Sequence, residues 1–143
     1  MKNFKISHNF SRKDFSCKCG KCQSEFRMSL TIVGIVEHLK GKFKKRVNIM
    51  QGYLCEEQSK ELFGNNKDYH KFGKAVDVQI EDVPLQDIFK EVESMPEVTG
   101  IGFCPADNHI HIDIRDKDRE VFLIERGEKT TMSDRLRRQY DLL

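Results

Sequence analysis

Tryptophan is absent from this chain, proline occurs three times, and no apolar run approaches the length of a membrane span. A bilayer-crossing helix needs about 20 consecutive apolar residues, so a helical membrane span is excluded. Charge of one sign is missing too. Against 25 Lys and Arg stand 23 Asp and Glu, a formal net charge of +2. So small an excess gives no electrostatic footprint for nucleic acid. One basic cluster, Lys40, Lys42, Lys44, Lys45 and Arg46, fits the solvated end of a helix, where cations suit the macrodipole. The opening MKNFKISHNFSRKDF has no apolar h-region. It does not read as a signal peptide, and the expected location of the chain as synthesised is the cytoplasm. Five cysteines is an odd number and does not indicate a complete disulfide framework.

What is present suits one ordinary domain. The 143 residues, 38% hydrophobic and 34% charged, are enough to bury a core without staples. There is no internal repeat and no low-complexity linker. Ser11 before Arg12, Lys13 and Asp14 predicts a short capped helix. Residues 28–45 place Ile32, Ile35, Val36, Leu39 and Phe43 on one helical stripe. Val47 to Met50 predicts a strand, Glu56 to Phe63 a helix, and Gly64, Asn65, Asn66 and Asp68 a loop. Ala75 to Ile80 alternates as a strand, and Pro84 opens a helix with Leu85, Ile88, Phe89 and Val92 at core spacing. Thr99 to Cys104 and His109 to Arg115 predict a hairpin turning at Pro105 to Asn108. Val121 to Ile124 offers a further strand, and residues 131–143 form a basic C-terminal tail, helical or frayed. The fold class is α+β, a small, mostly antiparallel sheet with helices packed on one face.

Two segments carry chemistry. In HIHIDIR, residues 109–115, alternation sends His109, His111, Asp113 and Arg115 to one face and Ile110, Ile112 and Ile114 to the other. Four ionisable groups backed by three isoleucines is not the pattern of a solvated edge. In YHKFGKAVDVQ, residues 69–79, Ala75, Asp77 and Gln79 share a face, and His70 lies in the loop before them. Two imidazoles and a carboxylate are a zinc donor set that leaves a fourth position open. Alternatively, the histidines satisfy buried hydrogen bonds, and spacing alone leaves both readings open.

The string H-x-x-G-x-A-x-D at His70 to Asp77, followed by H-x-D-x-R at His111 to Arg115, resembles the signature of the D-alanyl-D-alanine carboxypeptidase family of zinc peptidases. That group includes vancomycin-resistance dipeptidases, phage L-alanyl-D-glutamate endopeptidases and, more distantly, hedgehog domains. HNFSRKDFSCKCGKC, QGYLCEEQSKELFG and GIGFCP resemble further segments of its carboxypeptidase-like branch, so the likeness runs from about His8 to Arg115. It implies a zinc peptidase-like domain over residues 1–130, with His70, Asp77 and His111 as zinc ligands. It implies His109 as general base or oxyanion donor, and Asp113 as a residue orienting a ligand imidazole. Arg115 would share that role or form an ordinary salt bridge. The implied substrate is a peptidoglycan stem peptide or a related D-amino-acid peptide. A phage-type protein of this kind would reach the wall by lysis or virion delivery. Relatives usually have arginine where this chain has Leu54, and two branches have an acid where it has Asn108. Lys60, Lys67, Lys74 and Arg115 are the candidate replacements for the arginine. These departures motivate the alternative of a zinc-holding binding or structural module with weakened catalysis.

Cys17, Cys19 and Cys22 form a C-x-C-x-x-C cluster around Gly20. With Cys55 they would complete a tetrahedral set for a second, structural zinc. Reduced structural thiols, or a disulfide from Cys55 to one of the three, are the other readings. Cys104 reads as a small buried hydrophobe.

Overall fold

In the computed structural model, which describes residues 3–64 and 67–143, the first helix, α1 (Arg12–Phe15), is one turn long. The Ser11 amide donates to the Asp14 carboxylate at 2.8 Å, which caps that turn. The second helix, α2 (Leu30–Phe43), starts at Ser29, whose hydroxyl accepts from the Thr31 amide. It buries Ile32, Ile35, Val36 and Leu39 and ends at Lys44 in the left-handed conformation. Strand β1 (Val47–Gln51), helix α3 (Glu56–Phe63), a single 3-10 turn (His70–Phe72) and β2 (Ala75–Ile80) follow. Helix α4 (Leu85–Glu93) leads to the hairpin β3 (Gly100–Cys104) and β4 (His109–Asp113). The chain closes with β5 (Glu120–Glu125), β6 (Glu128–Thr131) and α5 (Asp134–Gln139). Asn65 and Asn66, read as loop residues, lie outside the described residues.

The six strands form one sheet in the order β1-β2-β4-β3-β5-β6. All neighbours are antiparallel except β3 and β5. The parallel pair arises because β5 starts at the same end of the sheet as β3. The short link from β4 passes over that end, and Arg119 ties it down. Its guanidinium donates to the carbonyls of Glu93, Met95 and Val98 at 2.6 to 3.0 Å, which also satisfies acceptors left open near the end of α4.

Val76, Val78, Ile110, Ile112 and Phe103 from the sheet meet Ile32, Val36, Leu39, Ile88, Phe89 and Val92 from α2 and α4 in one core. Each such side chain, fully buried, contributes roughly 1.5–3 kcal/mol. Leu136 and Leu142, in the segment read as a tail, are buried in the same core. Arg137 clamps that segment to Glu93 with two hydrogen bonds of 2.8 and 2.6 Å. The architecture is α+β, as the patterning predicts. Strand β6 was not foreseen, because all four of its residues are exposed and an uncovered edge needs no apolar alternation.

Candidate metal centre

Asp77 in β2 and His111 in β4 are paired across the ladder. Because side chains alternate with a period of two, both project from the face opposite the core, where Val76 and Ile112 point. Asp77 Oδ1 lies 2.8 Å from His111 Nδ1 and 3.4 Å from His70 Nε2. The three donor atoms fall within 4.8 Å of one another, so one cation can touch all three.

His70 is delivered by the 3-10 turn rather than by an irregular loop. Its amide donates to Asp68 Oδ1 at 2.9 Å, and Asp68 Oδ2 accepts from the Ser59 hydroxyl at 2.6 Å. Its Nδ1 lies 2.8 Å from the Gly52 carbonyl. A carbonyl only accepts, so Nδ1 donates there and Nε2 is the ring atom left facing Asp77. Asp68 and Ser59, both buried, were missed in the sequence. Their one signal is an Asp two residues before a histidine at a turn, common enough to pass unremarked.

His111 is held from its far side as well. Its Nε2 lies 2.8 Å from Asp113 Oδ2, which orients the ring with Nδ1 toward Asp77. Asp113 has no exposed surface. It also accepts from Arg115 Nε at 2.8 Å, Arg115 Nη2 at 2.6 Å and the Arg115 amide at 3.2 Å. Arg115 in turn pairs with Glu120 and lies over the Tyr69 ring, 4.7 Å from its centroid. It is therefore a buried partner of Asp113, not a surface ion pair. Burial opposes charge on Asp113, yet Arg115 and His111 outweigh it and hold the carboxyl well below the usual range. Burial likewise opposes charge on Asp77, and His70 and His111 outweigh it. For His111, burial pulls the ring down, but hydrogen bonds to Asp113 and Asp77 push it up to about 9. Two carboxylates around one imidazole form a place that favours added positive charge.

The two glycines of β3 make room for this assembly. A Cβ on Gly100 would lie 2.1 Å from Asp113 Oδ1, and one on Gly102 would meet Phe122 at 2.7 Å and His111 Cβ at 3.0 Å. Gly100→Ala is expected to displace the Asp113 carboxylate and destabilise the fold by about 3 kcal/mol. Chemical denaturation measures this, and an unchanged midpoint would show that the carboxylate has room to move.

His109, at the start of β4, shares this face. Its Nε2 is 3.8 Å from Asp77 Oδ2, beside the three donor atoms and outside hydrogen-bond range of them. The two departures have structural occupations. Asn108 is exposed at φ 52 in the hairpin turn, a left-handed position that asparagine tolerates. Leu54 is buried against Cys17 and Cys55 rather than left in the open. Of the basic candidates, Lys60 is exposed on α3, Lys67 lies over Tyr69, and Lys74 pairs with Asp116 at 3.0 Å. Arg115 is committed to Asp113 and Glu120. The structure also gathers Cys17, Cys19, Cys22 and Cys55 into a separate group, and Cys104 is buried.

A family model described as Peptidase M15 matches residues 8–113. Two curated relatives are the peptidoglycan L,D-endopeptidases MepK of Escherichia coli strain K12 and of Shigella flexneri. Each is 35% identical over 75 residues, which cover 49% of this chain and 41% of the relative. The match thus spans about two fifths of their length. No solved structure matches the chain.

Proposed function

We propose that this chain, which belongs to the peptidase M15 family, is a zinc-dependent peptidase acting on the peptide part of peptidoglycan. The observation that carries this reading is the set of His70, Asp77 and His111, the two imidazoles held from behind by the Gly52 carbonyl and Asp113 and Asp77 set by its strand. Ligands about 2.05 Å from a tetrahedral zinc sit about 3.4 Å apart. His70 Nε2 and Asp77 Oδ1 are 3.4 Å apart, while His111 Nδ1, 2.8 Å from Asp77, is drawn in by a hydrogen bond that a cation would replace. Three protein donors leave a fourth position for substrate or water, which is the pattern of a catalytic rather than a structural zinc site. Bound there, zinc supplies Lewis acidity toward the scissile carbonyl and lowers the pKa of the attacking water.

The chain's own residues supply the rest. Asp68 and the Gly52 carbonyl hold His70, Asp113 holds His111, and Arg115 holds Asp113. His109 is the group free to act on substrate. Its ring is beside the donor set, and by proximity it can move a proton or donate to the developing oxyanion. The 35% identical relatives are endopeptidases, which makes an internal bond of the stem peptide the first bond to test. A terminal D-amino acid, as the carboxypeptidase-like motifs imply, is the second.

The experiment is incubation of the purified protein with muropeptides, with and without added zinc, and identification of products by mass. Zinc-dependent cleavage is expected. His109→Ala should retain the metal and lower turnover by about 100-fold. A protein that holds zinc and cleaves neither an internal nor a terminal bond would leave the binding-module reading in its place. A His109→Ala variant with full turnover would return that ring to a structural role.

A further inference from the structure

We propose that Cys17, Cys19, Cys22 and Cys55 hold a second zinc ion, a closed structural site that stands in for a hydrophobic core under residues 16–25. The proposal rests on sulfur geometry. Cys19 and Cys55 Sγ are 3.8 Å apart, far beyond the roughly 2.05 Å of a disulfide. Four sulfurs at about 2.3 Å from a tetrahedral zinc have edges of about 3.8 Å. All four sulfurs lie within 4.8 Å of one another, although they come from a loop and from a helix start up to 38 residues apart. Free thiols repelled by no charge need not converge in this way.

The surroundings fit thiolates. The Lys21 amide donates to Cys19 Sγ at 3.3 Å, the Glu25 amide to Cys22 Sγ at 3.4 Å and the Gln58 amide to Cys55 Sγ at 3.5 Å. Backbone donors aimed at sulfur spread the excess negative charge that four thiolates bring to one divalent ion. Cys55 also caps α3, and because burial pushes its thiol up to about 12, a bound cation is what would hold it as the thiolate. Gly20, between the second and third cysteines, has a φ of 79, so the chain can turn sharply at that point.

The segment needs such a device. Residues 17–29 contain no helix or strand, and Gln23 and Ser24 both sit at φ 58, a conformation that non-glycine residues hold only when their surroundings enforce it. Phe26 and Met28 anchor its far end on the main core, but the small cluster beneath the cysteine-bearing part, among the described residues, offers only Leu54 and Tyr53 besides the cysteines. Two aliphatic or aromatic side chains do not make a core, whereas an ion bonded to four of its residues does. No donor is shared with the His70, Asp77 and His111 set, so a substitution in one set removes no ligand of the other.

The test uses the full chain. Wild type should contain two zinc ions and His70→Ala one. A thiol-directed mercurial should release the ion that His70→Ala retains. Cobalt loaded into His70→Ala should give the intense sulfur-to-cobalt charge-transfer absorption in the near ultraviolet, and Cys22→Ser in that background should weaken it, since one of four thiolates is gone. The cobalt spectrum needs no cysteine variant to fold. A cobalt-loaded His70→Ala protein without that absorption overturns the proposal, as does iron in place of zinc or a disulfide among the four in protein purified without reductant. One zinc in both wild type and His70→Ala, released by the mercurial, leaves this proposal standing and removes the catalytic-zinc reading.

Discussion

Replacing Asp77 by alanine is expected to empty the His70 and His111 pair of its ion and to lower peptide hydrolysis by about 1000-fold or more. Asp77 is the shared vertex of the set, facing His111 at 2.8 Å and His70 at 3.4 Å. It is also the only anionic member, so its loss leaves two imidazoles and no negative charge among the ligands of a doubly charged ion. The fold should survive, because the Asp77 backbone remains paired with Gln51 and His111 on its two flanks and its side chain points away from the core. Circular dichroism checks the fold, elemental analysis the metal, and steady-state hydrolysis of a muropeptide the rate. Zinc content equal to wild type with unchanged hydrolysis would remove Asp77 from the metal centre.

Asp113→Ala is expected to have the largest effect on stability, and a second effect on metal affinity. The side chain is fully buried and satisfies three donors of Arg115 together with His111. Its removal leaves Arg115, itself 7% exposed, with Glu120 as its one remaining anionic partner among the described residues. Breaking one side of a buried pair costs about 3–5 kcal/mol. The freed His111 ring should lower zinc affinity by about 10–100-fold, as when a residue behind a metal ligand is removed. Urea denaturation and competition with a chelator of known affinity read the two effects separately. Asp113→Asn keeps the shape, so it should recover part of the stability and less of the affinity. A variant as stable as wild type would place the Arg115 charge in solvent, against the structure.

The sequence reveals the parts of this site that follow a period. HIHIDIR alternates, so one reading of the pleat separates the isoleucines of the core from the ionisable face, and the ladder then sets Asp77 against His111. The helices follow for the same reason, since Ile32, Ile35, Val36 and Leu39 repeat at helical spacing. What is hidden has no period. Asp68 and Ser59 reach His70 through a turn, and the Gly52 carbonyl that fixes the ring's tautomer has no side chain to notice. Gly100 and Gly102 are visible as letters, but their reason, the clearance of Asp113 and Phe122, exists only in three dimensions. Leu54 and Asn108, read as losses from a catalytic surround, have local work of their own in the cysteine cluster and the hairpin turn.

The strand order gives the three candidate ligands unequal mechanical standing. β2 and β4 are interior strands, each hydrogen-bonded to a neighbour on both sides, so the spacing between Asp77 and His111 is as stiff as the ladder itself. His70 stands on a three-residue turn outside the sheet, held by Asp68 and one carbonyl. The centre is thus a vice with two fixed jaws and one adjustable screw. A change of preferred ion, of coordination distance or of the room left for a substrate is most readily made from the turn, with no strand required to move.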